Sequence, residues 1–214
     1  MDGHLIRFDK KVKYSFIDLE TFNLCLTTEY NEPWQTAIIN VTGEEITSRH
    51  DLISKWTPKP YLFIKPEIAR MNHHSDDRIE RDGIDPEDAL DIIEESLRAC
   101  DYIVGHNILG FDVYLIRDYF RHYGREWKWI MPKIIDTRAV AQGIKTNYKY
   151  DSKENFLNYQ YKLINTRVRG VKTQLKILAK ENDIEFDENK LHDALYDLEI
   201  NLKVWNKLKY QIEL

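Results

Sequence analysis

Two carboxylates stand one residue apart near the start of the chain, at the end of an apolar run. Asp18 and Glu20 follow residues 14–17, whose aromatic and aliphatic side chains are typical of a strand. Because alternate residues of a strand share a face, both carboxylates are predicted to point the same way. Such a pair requires a proton or a cation, and divalent metals prefer oxygen ligands. The Asp-x-Glu pattern occurs four times in the chain. The apolar residues directly before Asp18 distinguish this copy from the others and make it the metal-site candidate.

Two later segments carry further groups of this kind. Asp112 follows a short apolar strand and a glycine-containing turn, at a predicted helix start where an acid can also simply stabilise the helix dipole. His192 precedes the last predicted helix, and Asp197 lies on the second turn of that helix. A loop ahead of a helix can fold an imidazole back toward such a carboxylate. An exposed histidine beside an unrelated surface acid is the alternative.

These three segments resemble, in order and separation, the three motifs of the DEDDh family of DnaQ-like 3′-to-5′ exonucleases. The resemblance covers about residues 14–208. The first motif, D-x-E-T, matches residues 18–21, and the third, H-x-A-x-x-D, matches residues 192–197 with its alanine. The second motif matches residues 105–112, with three residues instead of the usual two between Asn107 and Phe111. An Ile-Asp-Thr sequence common in the family lies between, at residues 135–137.

The resemblance implies a ribonuclease H-like fold, which is an α/β architecture with a mixed central sheet flanked by helices. It also implies phosphodiester hydrolysis with two Mg²⁺ ions, for which Mn²⁺ substitutes. His192 would be the general base, because the ordinary pKa of histidine, about 6.5, suits removal of a proton from water near neutral pH. Asp18 would bridge both ions. The ligands that the resemblance implies are Asp18, Glu20, Asp112 and Asp197.

The same resemblance implies contacts to the terminal nucleotide. Leu19 and Thr21 would meet this nucleotide and its 3′-hydroxyl, and Asn107 and Phe111 would line the same pocket. For Leu19 and Phe111, packing in the core is the alternative. Asp136 is expected to cap the helix that it begins.

Together these features predict a metal-dependent 3′-to-5′ exonuclease that acts on single-stranded or frayed DNA. A 3′-to-5′ exoribonuclease acting on small RNA is the alternative within this class. Outside it, the alternative is a non-catalytic module that binds nucleic acid or a protein, although such a module gains nothing from clustered, mutually repulsive carboxylates. A polymerase, or another replication or repair protein, is the partner that such a nuclease would serve.

The elements that must position these groups are predicted from apolar periodicity and capping residues. Strands are expected at residues 14–19, 37–41, 61–64 and 102–104, with a hairpin return from residue 46. Helices are expected after Asp85, near residues 111–123, from residue 136, over residues 173–182 and from residue 193 to the C-terminus. This order predicts one α/β domain over residues 1–214.

One stretch, residues 145–172, departs from the rest in charge. It holds seven basic residues and two acids, a net charge of +5, so that the remainder of a chain of net charge −5 carries −10. Four tyrosines and Phe156 are interleaved with the cations, a pattern suited to single-stranded nucleic acid because cations follow phosphates and rings stack on bases. A polar insertion or hairpin with half-buried tyrosines is the alternative.

Composition excludes several classes of protein. Hydrophobic residues make up 43% and charged residues 31% of the 214 residues, which is typical of a globular domain. Neither a membrane-spanning run nor a secretory signal is visible, so a cytoplasmic protein is expected. The acidic net charge disfavours non-specific wrapping of duplex DNA. Cys25 and Cys100 show no metal-binding spacing and are expected to be reduced, buried thiols.

Overall fold

The computed structural model describes residues 6, 9–24, 26, 31–57 and 74–212 of the chain. Within them, five strands form one mixed sheet in the order β3-β2-β1-β4-β5. The strands are β1 (Lys13–Thr21), β2 (Pro33–Thr42), β3 (Glu45–Ile53), β4 (Tyr102–Gly105) and β5 (Ile134–Asp136). The first three pair as an antiparallel meander, whereas β1, β4 and β5 run parallel. The strand expected at residues 61–64 and the side chain of Cys25 lie outside the described residues.

Helices follow and flank these strands. The α-helices are α1 (Asp76–Asp82), α2 (Pro86–Ala99), α3 (Asp112–His122), α4 (Thr137–Thr146), α5 (Phe156–Asn165), α6 (Leu175–Glu181) and α7 (Ala194–Leu208). Short 3₁₀ helices span Lys128–Lys133 and Glu188–Lys190. Asp85 caps α2 ahead of its first-turn proline, as predicted, and Asp193 caps α7. None of the helices described here is long and apolar enough to cross a bilayer.

The hydrophobic core has two layers, one on each face of the sheet. Residues of α2 and α3 pack around Ile17 on one face, and residues of α4, α6 and α7 pack around Phe16 on the other. Side chains of β1 therefore alternate between the layers, as expected of a strand buried on both faces. The same alternation directs Asp18 and Glu20 toward the layer that contains α7.

The predicted α/β class with a mixed central sheet is confirmed, and Cys100 is a buried free thiol as expected. Short elements in particular escaped prediction. β5 has three residues, too few for the alternation of a strand to show, and α1 has seven residues of which only Ile79 is buried. Periodicity identifies long elements best, because several turns or pleats must repeat before a pattern emerges.

The basic stretch of residues 145–172 contains a helix, α5, so a hairpin, one form of the alternative for this stretch, is wrong, whereas a polar insertion stays a prediction. Tyr159 of α5 is fully buried, its ring stacks on that of Tyr148, and its hydroxyl donates a hydrogen bond to the Tyr148 carbonyl at 2.8 Å. Tyr150 and Phe156 also pack against Tyr159. The aromatic rings of this stretch thus pack largely against one another.

The carboxyl ends of β1, β4 and β5 meet at one edge of the sheet because these strands are parallel. Ligand sites of open α/β sheets form at such edges. β1 pairs with β4 from Tyr14 to Phe16, so the last residues of β1 extend past the end of β4. The edge of β1 at Leu19 is therefore open to a side chain from the segment that follows β4.

Candidate active site

Asp18 and Glu20 lie near the carboxyl end of β1, and both are half-buried. Burial raises the pKa of Asp18 well above its usual value, and repulsion from Asp112 and then from Glu20 raises it further. The pKa of Glu20 is also raised, first by burial and then by repulsion from Asp197. Four of the predicted acids therefore act on one another electrostatically, although they come from three distant segments of the chain.

Asp112 is the first residue of α3, and only 4% of it is exposed. Its Oδ1 accepts the N–H of Leu19 at 3.3 Å, across the edge of β1 that β4 leaves open. Because Leu19 stands between Asp18 and Glu20, this hydrogen bond holds the start of α3 beside the acid pair. Burial raises the pKa of Asp112 to about 7, against the lowering effect of the backbone N–H groups of Asp112 and Leu19.

His192 and Asp197 complete the group from the start of α7. One ligand atom each of Glu20, His192 and Asp197 lies within 4.8 Å of the others. The backbone of His192 is left-handed, with φ of 69°, and its N–H donates to Asp197 Oδ2 at 3.1 Å. This turn folds the loop back over α7. The imidazole therefore lies on the side of the helix where Asp197 stands, as the sequence analysis expects.

Residues that the sequence analysis did not single out hold this turn in place. Gln35 of β2 is fully buried; its amide group donates to Asp51 at 2.8 Å and to Asp193 at 3.3 Å. Its side-chain oxygen accepts the N–H of Ala194 at 3.3 Å. Arg78 of α1 donates to Asp51 at 2.7 Å and to Asp193 at 3.3 Å. The first residues of α7, directly after His192, are thereby tied to β2, β3 and α1.

The four residues predicted to contact the terminal nucleotide differ in exposure. Leu19 and Thr21 are 5% and 3% exposed, and Leu19 belongs to the hydrophobic core, its alternative in the sequence analysis. The hydroxyl of Thr21 donates to the carbonyl of Asn23 at 2.6 Å. Phe111 is partly buried against the core, and Asn107 lies in a left-handed turn with φ of 64°. Their contact with a nucleotide stays a prediction.

Asp136 caps α4, as predicted, and also fastens the turn after β4. Its carboxylate accepts the backbone N–H groups of Asn107, Leu109, Arg138 and Ala139. His106 in the same turn has Nδ1 3.0 Å from Thr137 Oγ1. Desolvation and the neighbouring Arg138 lower the pKa of His106 to about 4, so this imidazole is neutral near pH 7. Both residues therefore have structural roles.

This arrangement suits divalent cations. Clustered carboxylates with raised pKa values are destabilised in their charged form, and a hard cation with oxygen ligands removes this penalty. Among the residues that the structure describes, Glu20, His192 and Asp197 are the one group of three potential metal ligands this close together. A metal held by these acids would stand beside an imidazole, a combination that can supply both an activated water and a general base for hydrolysis of a phosphodiester.

Comparison with known proteins identifies the family to which this chain belongs. The model of the RNase T family, described as an exonuclease family, matches residues 15–205. The chain belongs to this exonuclease family. Its DEDDh motifs and ribonuclease H-like fold, expected from the resemblance, are confirmed. No curated protein sequence matches the chain.

Solved structures of exonuclease I share the fold of this exonuclease domain. A structure of exonuclease I concerned with processivity aligns at a TM-score of 0.68 and 18% identity, over 94% of this chain and 41% of that one. Exonuclease I from E. coli in complex with a dA16 oligonucleotide aligns at 0.70 and 16% identity, over 94% and 41% of the two chains. The zinc-bound E. coli ExoI–ssDNA complex aligns at 0.66 and 18% identity, with the same 94% and 41% coverage. This exonuclease domain therefore spans about two fifths of the length of those chains.

Proposed function

We propose that this protein is a metal-dependent 3′-to-5′ exonuclease that hydrolyses phosphodiester bonds at the 3′ end of single-stranded or frayed DNA. The observation that carries the proposal is the meeting of Glu20, His192 and Asp197 within 4.8 Å in a chain of the exonuclease family. Asp112 and Asp18 lie within electrostatic reach of this group. A binding module without catalysis has no use for such a cluster.

Asp18, Glu20, Asp112 and Asp197 would hold two divalent ions, Mg²⁺ with Mn²⁺ as a substitute. When bound, these ions lower the pKa of water and neutralise charge on the phosphate. The residues fit such ions. Burial and mutual repulsion disfavour the charged forms of Asp18 and Glu20 and so raise their pKa values, and a bound cation stabilises those charged forms. Asp18 would contribute to holding both ions, as the family resemblance implies, and each of the other three acids raises its pKa by repulsion.

His192 would act as the general base and take a proton from the attacking water. Its side chain is exposed, so the proton can pass on to solvent. The neighbouring carboxylates of Glu20 and Asp197 stabilise the imidazolium that forms. The hydrogen bond from the backbone N–H of His192 to the carboxylate of Asp197 holds the loop folded back toward that acid.

DNA is proposed ahead of small RNA because the similar exonuclease I structures hold single-stranded DNA. The test compares matched DNA and RNA oligonucleotides, labelled at either end, in Mg²⁺, Mn²⁺ or EDTA. We expect stepwise shortening from the 3′ end, faster on DNA and absent in EDTA. Shortening from the 5′ end, internal cleavage, or activity that survives EDTA would contradict the proposal.

The chain offers a matched control for the acid pair. Asp18→Asn with Glu20→Gln is expected to abolish hydrolysis, because it removes two of the proposed ligands. The same Asp-x-Glu pattern recurs at Asp183 and Glu185, which are exposed. Asp183→Asn with Glu185→Gln removes equal charge and is expected to leave hydrolysis unchanged. Equal loss in both variants would show that overall charge, and not the site, governs activity.

A further inference from the structure

The arginines of the described chain fall into two groups. Seven form ion pairs with carboxylates: Arg49, Arg78, Arg81, Arg98, Arg117, Arg121 and Arg125. The other three described arginines, Arg138, Arg167 and Arg169, form no ion pair with any described acid, and all three line the same cleft. Although a chain of net charge −5 has acids to spare, no described acid pairs with any of these three arginines, and an external anion would supply the missing partner.

The cleft lies between α4, the end of α5 and the loop of residues 166–174 that leads to α6. Its volume is about 1040 Å³. Lys172 adds a fourth cation to its lining, which contains no aspartate or glutamate and includes the amides of Gln142 and Asn165. Sites for small molecules have volumes of about 300–1,000 Å³, so this cleft has room for more than one nucleotide.

One end of the cleft lies at the turn that follows β4. His106 and Asn107 line it, and the side-chain oxygen of Asn107 accepts a hydrogen bond from the Arg138 guanidinium. Asn107 belongs to the turn that leads from β4 to Asp112, and Asp136 fastens that turn through the N–H groups of Asn107 and Leu109. A strand whose 3′ end lies at the carboxylates would meet the cleft at this turn, which carries both Asn107 and, at its far end, Asp112.

We infer that this cleft binds the phosphates of a single-stranded nucleic acid upstream of its 3′ end. The inference rests on the proposed function, because it places the 3′ end at the carboxylates. Arginine suits the role, since its planar guanidinium can donate two parallel hydrogen bonds to one phosphate. A positively charged groove that follows the backbone is also how proteins bind single strands without reading their sequence. An acidic polypeptide is less well matched, because the turn that lines the cleft leads to Asp112, a residue of the proposed phosphodiester-hydrolysing site.

The test measures binding in the absence of catalysis. A fluorescein-labelled oligothymidylate of about 15 nucleotides, the upper range for one binding groove, is titrated with protein in EDTA at several salt concentrations. Arg167→Gln with Arg169→Gln, both exposed, is compared with Lys128→Gln plus Lys203→Gln, which removes equal charge from exposed positions outside the cleft. Lys172→Gln is a second, independent variant of the cleft.

We expect the double arginine variant to bind more weakly. The slope of log K against the logarithm of the salt concentration should be shallower by about 1.4, because two phosphate contacts are lost and each contact to a single strand contributes about 0.7. Lys172→Gln should reduce the slope by about half as much, and the control variant should match the wild type. An unchanged slope in both cleft variants, or an equal change in the control, would overturn the inference. So would tighter binding of a polyglutamate peptide than of an oligonucleotide of equal charge.

The two proposals can fail separately. Arginine-dependent binding by a protein that hydrolyses no oligonucleotide would refute the exonuclease and leave standing that the cleft binds the phosphates of a single strand, without the placement of its 3′ end. Hydrolysis by a protein whose oligonucleotide binding ignores Arg167 and Arg169 would do the reverse.

Discussion

At the scale of single residues, the backbone of His192 is as informative as its side chain. A non-glycine residue with φ of 69° is uncommon, and the hydrogen bond from its N–H to Asp197 stabilises this conformation. Sparsely populated conformations of this kind cluster at functional sites. The conformation aims the imidazole at the acids, whereas an extended residue at this position would direct it elsewhere.

The first prediction concerns His192→Ala. We expect kcat to fall by about 10²–10⁴-fold, the usual contribution of a general base, while Mn²⁺ binding measured by calorimetry stays largely intact. His50→Ala, which removes a partly exposed histidine of β3, should leave both quantities unchanged. A His192→Ala variant with the turnover of the wild type would exclude the proposed base.

The second prediction concerns Asp112, whose pKa is about 7 in the folded protein against an ordinary value of 3.8. At a pH between these two pKa values, the folded protein holds a proton on Asp112 that unfolding releases. The free energy of unfolding therefore falls as the pH rises, by up to about 1.4 kcal/mol per pH unit. Asp112→Asn removes this cost. In EDTA, the stability of Asp112→Asn relative to the wild type should therefore grow from pH 5 to pH 7.

The measurement is thermal unfolding of both proteins at each pH, with and without Mg²⁺. Comparing variants cancels the contribution of His106, whose lowered pKa acts in the opposite direction. Saturating Mg²⁺ should stabilise the wild type and reverse the ranking, because the asparagine is a poorer ligand for the cation. A difference between the two proteins that does not depend on pH would contradict the raised pKa.

At the scale of elements, the start of α7 is the part of the site that other elements must hold. Arg78 of α1 bridges Asp51 of β3 and Asp193, and its guanidinium lies 5.7 Å from the centre of the Trp34 ring. Because Asp193 directly follows His192, a shift of this cap moves the proposed base. Arg78 is thus a positioning residue, and its effect on catalysis passes through His192.

The third prediction concerns Arg78→Lys, which keeps the charge and loses the two-armed contact. We expect kcat to fall about 10–100-fold with KM nearly constant, because small displacements of catalytic groups are that costly. Arg81→Lys is the matched control, since Arg81 lies on the same helix and pairs only with Asp82 among the described acids. A rise in KM without loss of kcat would place Arg78 in substrate binding instead.

At the scale of the whole molecule, both core layers depend on one sheet. β1 supplies Ile17 to one layer and Phe16 to the other, and it also carries the acid pair. Loss of either layer would expose the strand that the other layer needs. A single domain over residues 1–214 stays a prediction, and this shared strand supports it for the described residues; the similar exonuclease I chains are more than twice as long.

The fourth prediction is that the isolated chain unfolds in one cooperative transition. Calorimetry should give a van't Hoff enthalpy equal to the calorimetric one, as for a two-state domain. Mg²⁺ should raise the single transition temperature, since it binds the folded state. Two separate transitions, or a calorimetric enthalpy well above the van't Hoff value, would indicate units that unfold independently.

The sequence by itself determined the features that depend on neighbouring residues. The alternation of β1, the caps at Asp85 and Asp136, and the order of the three motifs are all local patterns, and they sufficed to predict the α/β class and the family. They also located the acids and His192 along the chain. The excess of cations at residues 145–172 was likewise visible, but not which of them would remain without an acidic partner.

Only the tertiary structure decided how these segments act on one another. Gln35 and Ala194 are 159 residues apart, so no local pattern predicts the hydrogen bond that holds α7 in place. The pKa of Asp112 is raised by its burial in the folded protein, and the N–H of Leu19 that opposes this shift comes from a residue 93 positions away. The unpaired arginines become a site because folding places Arg138 beside a distant loop. Burial, repulsion and charge pairing depend on distance in space, and the chain alone specifies distance only between near neighbours.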